Sequence, residues 1–174
     1  HDLGHLPFSH AGECALPEKD DGTRLKHEDY TAALARRYLS ESVDGHEDNA
    51  AYALSATELV DFFQGKTSTA RLAKLAPWRS LISGQLDADR MDYLRRDSHH
   101  LGVQYGQFDL QRVLSTLTLV AHEQTGQPRL AVEEGGLLAM ESLILARYYM
   151  FHQVYFHKVR RYMDHVYSLV LEKF

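Results

Sequence analysis

The sequence contains a single cysteine, Cys14, so the 174-residue chain cannot form an internal disulfide. This predicts a reducing compartment, and we expect a cytoplasmic protein. No apolar run approaches the length of a membrane-spanning helix, and no secretory signal pattern is present. A net charge of −5 leaves no general basic field, so nucleic acid is not indicated as a partner.

Two common catalytic motifs are also missing. The chain has neither the G-x-S-x-G of serine hydrolases nor the P-loop G-x-x-x-x-G-K-[ST], and Cys14 lies in a polar stretch without a motif around it. The contents of hydrophobic (44%) and charged (25%) residues are ordinary for a globular protein, and the length suits one domain with a real core. What stands out instead is eleven histidines, five of them in two short segments.

Apolar residues recur at helical spacing through most of the chain, which predicts an all-α bundle. HDLGH is predicted to end a helix at Gly4, and residues 11–25 and 42–51 are predicted to be polar loops. Two Leu-, Val- and Thr-rich segments, 115–123 and 128–134, flank QTGQ and predict one small β-hairpin. Helices are expected over residues 26–41, from Ser55 to about Gly65, in one or two short pieces over 69–83, over 86–100, and from 136 to 174 with a break near His157.

Histidine and aspartate cluster in HDLGHLPFSH (residues 1–10) and in LDADRMDYLRRDSHHLG (residues 86–102). An adjacent His and Asp offer a nitrogen and an oxygen ligand that can face one metal ion, and a carboxylate from a distant helix can close such a site. On the helix predicted over 86–100, one face carries Asp89, Tyr93, Asp97 and His100. The combination is typical of a metal-dependent hydrolase.

These two segments resemble the signature segments of HD-domain phosphohydrolases, in the order found in that family. They are most similar to the dGTPase/SAMHD1-like deoxynucleoside triphosphate triphosphohydrolases, and EGGLLAMESLILARYYMFHQVYFHKVRR (134–161) resembles the same branch. The resemblance implies a single HD domain over residues 1–174, an all-α HD-domain helical bundle with one small β-hairpin. It also implies homo-oligomers, a nucleotide substrate (dNTP) and no membrane.

The resemblance further implies a divalent metal ion, which could be Mn, Fe, Ni, Zn or Mg, held by His1, Asp2 and Asp89. The family uses one more histidine from a helix upstream of the HD pair. We therefore expect the chain to be a fragment that lacks this helix.

By the same resemblance, His5, His10 and His27 act at the scissile phosphate. The bland alternatives are a loop histidine for His5 and His10, and the N-terminus of a helix rich in Glu28 and Asp29 for His27. Substrate contacts are implied for Arg90, Tyr93, Asp97, Arg147, Tyr155 and Lys158. Tyr93 could equally be a core aromatic residue, and Phe151 departs from the histidine of the animal enzymes.

The implied reaction is hydrolysis of a deoxynucleoside triphosphate, dGTP-like, to a deoxynucleoside and inorganic triphosphate, with metal-activated water attacking the α-phosphorus. One rival is another HD-type nucleotidase or phosphodiesterase, although the alarmone-hydrolase pattern and the GYP element of cyclic-dinucleotide enzymes are absent. A rival from another class is a non-catalytic nucleotide sensor. Base preference, activation by a second nucleotide and the native metal are not determined by these residues.

Overall fold

The computed structural model describes residues 1–173, whose contacts group into two compact units. One unit comprises residues 1–76 and the C-terminal stretch from Arg161, and the other comprises residues 77–160. Over the described residues the chain is mostly helical with one two-stranded antiparallel sheet, which confirms the predicted fold class. No helix among these residues has both the length and the apolar character needed to cross a bilayer. The single-domain assignment stays a prediction.

The first unit begins with two 3-10 helices, Asp2–Gly4 and Ser9–Ala15, so the predicted loop over 11–25 is wrong at its start. Its α-helices are α1 (His27–Leu34), α2 (Ser40–Asp44), α3 (Asn49–Tyr52), α4 (Ala56–Phe63) and α5 (Ala70–Leu75).

A π-helical turn, Ala35–Leu39, joins α1 to α2, so this helical run extends beyond the predicted end at residue 41. The loop predicted over 42–51 is therefore wrong at both ends, because helix also resumes at Asn49. Ser55 caps α4 by accepting a hydrogen bond of 3.0 Å from the Glu58 amide, as its sequence predicts. A small core of Ala32, Ala35 and Val60 holds α1 against α4.

The second unit starts within a 3-10 helix (Ala76–Leu81) and contains the hairpin of β1 (Leu117–Ala121) and β2 (Pro128–Val132), with Leu119 opposite Leu130. Its α-helices are α6 (Ala88–Leu101), α7 (Leu110–Thr116) and α8 (Leu137–Met150). A second π-helical turn, Phe151–Tyr155, extends α8, and α9 (Lys158–Leu171) follows a break at the position predicted near His157.

Helix α6 is bounded by a side-chain cap at its start and a glycine at its end. Asp87 is its N-cap and accepts a 2.7 Å hydrogen bond from the Arg90 amide, while Gly102 ends it in the left-handed conformation at φ 67°. The buried residues Met91 and Leu94 on α6 pack with Leu143 and Met150 in the core of this unit. The packing fixes which face of α6 presents Tyr93 and Asp97.

Candidate active site

The predicted metal-binding pair lies in a turn that is fastened to α1. The buried hydroxyl of Thr31 donates to the His1 carbonyl oxygen at 2.6 Å and accepts from the Gly4 amide at 2.8 Å. A Cβ atom on Gly4 would overlap the His27 carbonyl oxygen and the Thr31 amide nitrogen. The turn does end at Gly4 as predicted, but the reason is this close packing and not a left-handed helix stop.

The Asp2 carboxylate stands between two imidazoles. Its Oδ1 atom lies 3.3 Å from His1 Nε2 and 3.2 Å from His5 Nε2, and the side chain is half exposed. Nitrogen and carboxylate oxygen donors of this kind fit a divalent ion of intermediate hardness. His1 and Asp2 would hold that ion. Asp89 lies in the first turn of α6, in the other unit, and its role as a third ligand stays a prediction.

The three histidines predicted to be catalytic lie together in the first unit. The His27 ring stacks on the His5 ring with centroids 3.8 Å apart, and the His10 ring lies edge-on to both at about 5 Å. His27 is buried in the cluster and is also the first residue of α1. Its position at the helix N-terminus is therefore compatible with its place in the cluster. Burial, and then the charge of His27, lower the pKa of His5, which favours a neutral imidazole there.

Glu13 completes this cluster, and sequence reasoning missed it. Its Oε1 atom lies 2.6 Å from His27 Nδ1 and 3.1 Å from His10 Nδ1. Because a carboxylate only accepts, both imidazoles donate through Nδ1 and keep Nε2 for proton transfer. The only sequence signal was the spacing of three between His10 and Glu13, and it was hidden because residues 11–25 were assigned to a loop.

The segment between His5 and His10 is strained. Phe8 and Ser9 are consecutive non-glycine residues with left-handed backbones, at φ 63° and 53°, a conformation that costs about 1–3 kcal/mol each. Tyr167 of α9 fastens the turn: its ring lies 4.7 Å from the Phe8 ring, and its hydroxyl donates to the Pro7 carbonyl oxygen at 3.2 Å. The strain lies in the segment that joins His5 to His10, two predicted catalytic residues. Backbone strain of this kind is typical of functional segments.

The hydrogen bonds of Glu13 predict an acid-sensitive cluster. Burial alone would raise the pKa of Glu13, but hydrogen bonds from His27 and His10 outweigh it and hold the pKa below its ordinary value. A depressed carboxyl pKa stabilises the fold above the unfolded-state pKa, which is about 4.3 for glutamate, and this stabilisation disappears as pH falls through the lower folded-state pKa.

We therefore expect urea unfolding between pH 6 and 3 to show a loss of stability in the wild type that is smaller in Glu13→Gln. Equal slopes for the two proteins across this window would contradict the assignment. Far-UV circular dichroism at pH 6 serves as the control that both proteins start folded.

In the second unit, two residues predicted to contact the substrate contact each other directly. The Tyr155 hydroxyl donates to Asp97 Oδ2 at 2.6 Å across 58 residues of sequence, and the Tyr93 ring lies 6.0 Å from the Tyr155 ring. Burial, followed by the hydrogen bond to Asp97, raises the pKa of Tyr155, so the phenol stays a donor at neutral pH. Tyr93 is half-buried against the core of this unit, as the core interpretation predicts, and its contact with substrate stays a prediction.

The π-helical turn after α8 brings Arg147 and Tyr155 onto one face. Residues eight apart on an ideal α-helix are rotated by roughly 80°, and one additional residue in a wider turn reduces this to about 20°. The Phe151 ring lies between them, 5.4 Å from the Arg147 guanidinium carbon and 5.1 Å from the Tyr155 ring. The shared face was predicted from the spacing of eight, whereas the π turn that produces it was not.

The remaining predicted substrate residues are less tightly grouped. Arg90 donates to Gln85 Oε1 at 2.9 Å, and burial raises the pKa of Tyr93 despite the opposing charges of Arg147 and Arg90, which places both cations near this phenol. Lys158 is exposed at the start of α9. Arg96 pairs with Asp92 at 2.8 Å on the exposed surface of α6. Tyr148 is 55% exposed.

Several known proteins are similar to this chain. Residues 108–174 match the family described as the HD associated region. The uncharacterized protein YwfO of Bacillus subtilis is 33% identical over 99% of this chain and 35% of its own length. The deoxynucleoside triphosphate triphosphohydrolase SAMHD1 homolog of Dictyostelium discoideum is 26% identical over 94% of this chain and 30% of its own length.

A crystal structure of a hypothetical protein from Aquifex aeolicus superimposes with a TM-score of 0.74 at 36% identity, covering 99% of this chain and 42% of that one. Residues 108–174 are thus similar to the HD associated region, and the chain shows distant homology to SAMHD1-like HD proteins. It spans about a third of the length of the curated relatives that it matches.

Proposed function

We propose that this chain carries the active site of a metal-dependent hydrolase that converts deoxynucleoside triphosphates to deoxynucleosides and inorganic triphosphate. The observation that carries the proposal is the cluster of His5, His10 and His27 around one carboxylate, directly beside the Asp2 carboxylate. Phosphoryl transfer needs a charged anchor for a divalent ion and proton-carrying groups next to it, and the first unit supplies both kinds of residue.

The proton transfers are assigned to the histidine cluster. In the reaction, water adds to the α-phosphorus, the bond from that phosphorus to the 5′ oxygen breaks, and the oxygen leaves with a proton. His10 is the most exposed of the three imidazoles, and its Nδ1 atom is held by Glu13, which leaves Nε2 to face the substrate, so it is the proton donor of the proposal. A divalent ion at His1 and Asp2 supplies Lewis-acid stabilisation of the phosphate charge when bound.

Recognition of the sugar is assigned to the second unit. Asp97 has a second carboxylate oxygen that can accept from a 3′-hydroxyl while Tyr155 occupies Oδ2. A tyrosine ring packed against C2′ would leave no room for a ribose hydroxyl, and the half-buried Tyr93 is the residue proposed for this role. Arg147 and Arg90 are the cations proposed to face the phosphates.

Removing the Tyr93 ring is expected to relax discrimination between sugars. We expect Tyr93→Ala to lower the ratio of kcat/KM for dGTP over GTP by about 10-fold or more, because a hydroxyl-sized space opens at C2′. Tyr93→Phe keeps the ring and is expected to keep the ratio. Both nucleotides are assayed with each variant, and an unchanged ratio in Tyr93→Ala would show that another residue excludes ribonucleotides.

The product distinguishes this reaction from its rivals. The full-length protein with Mn²⁺ and each dNTP in turn is expected to release inorganic triphosphate, seen by anion chromatography, and Asp89→Ala serves as the inactive control. Stepwise release of phosphate would favour another HD-type nucleotidase. Binding of dNTPs without turnover, alone or in pairs of different bases, would favour a nucleotide sensor. Homo-oligomerisation is part of the same proposal, and the assay is run across protein concentrations to detect it.

A further inference from the structure

Three imidazoles and one carboxylate in the first unit form a complete ligand set for a transition metal. One ligand atom from each of His5, His10, Glu13 and His27 lies within 4.8 Å of all the others. We propose that this cluster is a metal site in its own right, suited to Zn²⁺ or a similar ion, and separate from the ion assigned to His1 and Asp2. Three nitrogens and one oxygen around a single point is a donor set that zinc favours.

The position of the ion follows from the two hydrogen bonds of Glu13. Its Oε1 atom faces His10 Nδ1 at 3.1 Å and His27 Nδ1 at 2.6 Å, so two protons now lie between three potential ligand atoms. Tetrahedral zinc with bonds of about 2.0–2.2 Å keeps neighbouring ligand atoms about 3.3 Å apart. Each neutral imidazole can move its proton to Nε2 and offer Nδ1, and rotation of the side chains then brings ligand atoms that lie within 4.8 Å of one another to this spacing.

The cluster is rigid on one side and accessible on the other. His27 is 6% exposed, and its Nδ1 atom also lies 3.4 Å from Glu28 Oε2, which fixes the ring. The His10 side chain is 69% exposed, so an ion can arrive from solvent. His5 has one nitrogen facing Asp2 at 3.2 Å and the other facing Ser9 Oγ at 3.2 Å, so one of these two contacts must break for it to bind.

An ion here would take the Nδ1 atoms of His10 and His27 and the Glu13 carboxylate, and so replace the hydrogen bonds that orient the proton-transferring rings. Excess Zn²⁺ is therefore expected to inhibit hydrolysis more than 10-fold, whereas Mg²⁺, which prefers oxygen ligands, is not. This consequence rests on the proposed function, but the metal site itself does not.

The test measures metal content independently of activity. Metal-free full-length protein is dialysed against Zn²⁺ with a weak chelator, and bound zinc is counted by mass spectrometry. Glu13→Gln and His10→Ala are each expected to bind one equivalent of zinc less than wild type. Asp89→Ala is expected to lose the zinc of the other site, so that Asp89→Ala combined with Glu13→Gln loses two equivalents. His165→Ala, which removes an exposed histidine of α9, is the matched control and is expected to lose none.

Co²⁺ provides a second measurement that does not depend on counting. A tetrahedral cobalt site absorbs strongly in the visible, and this band is expected in Asp89→Ala but absent from its combination with His10→Ala. Zinc contents of Glu13→Gln and His10→Ala equal to that of His165→Ala would overturn the inference, with circular dichroism confirming that each variant is folded. If these variants lose zinc as expected but the wild type has no triphosphatase activity, the proposed function is rejected and the proposed metal site is retained.

Discussion

Replacing Glu13 with glutamine is expected to lower kcat for triphosphate release by about 10³-fold while changing KM little. Glu13 is the shared acceptor for His10 and His27, with hydrogen bonds of 3.1 and 2.6 Å to their Nδ1 atoms. As an ionised carboxylate it can only accept, which fixes Nδ1 of each ring as the donor. An amide keeps the shape of the side chain but removes its charge. It can also present an N–H group to a ring nitrogen that must itself donate. Such tautomer errors lower kcat by up to about 10⁴-fold in serine proteases.

The effect should be confined to the chemical step, because Glu13 touches histidines and none of the residues assigned to the sugar. Glu18→Gln is the matched control, since Glu18 lies five residues further on, is exposed and pairs with Arg24 at 3.7 Å. Steady-state kcat and KM for dGTP are measured for both variants. Equal kcat values in Glu13→Gln and Glu18→Gln would remove Glu13 from the proton-transfer machinery.

The helices and the hairpin could be predicted because their signals are local. Ser55 with Glu58, Asp87, Gly102 and the QTGQ turn each act within four residues, so a reader of the sequence sees both partners at once. The loop predicted over 11–25 failed for the opposite reason. Short 3-10 helices such as Ser9–Ala15 lack an apolar period that a sequence could reveal. This one begins at Phe8 and Ser9, whose left-handed backbone conformations are disfavoured for residues other than glycine.

The candidate site was predicted in part, for a related reason. The resemblance assigned His5, His10 and His27 to one site, and the structure brings them together, but no spacing could: they are separated by five and by seventeen residues. Their convergence depends on the strained turn at Phe8 and Ser9 and on the fastening of Asp2–Gly4 to α1 by Thr31. Both are tertiary features, and Glu13 becomes visible as a partner only after they are in place.

Gly4 is the residue on which this convergence depends most directly, and Gly4→Ala is expected to destabilise the protein by about 3 kcal/mol or more. A Cβ atom there would overlap two backbone atoms of α1, the His27 carbonyl oxygen and the Thr31 amide nitrogen, which cannot rotate away as a side chain could. Overpacking against movable side chains typically costs about 1–3 kcal/mol, so a backbone clash lies at or above that range. Relief requires the HD turn to leave α1, which breaks both hydrogen bonds of Thr31.

Gly22→Ala is the control that separates this clash from the general cost of replacing glycine. Gly22 has a left-handed backbone at φ 78°, and no atom lies within 4 Å of the place that an alanine methyl group would take, so alanine there costs only the conformational penalty of about 1 kcal/mol. Urea unfolding of both variants gives the two free energies. If Gly4→Ala proved no less stable than Gly22→Ala, the HD turn would have room to move. The histidines of the cluster would then not owe their positions to its packing on α1.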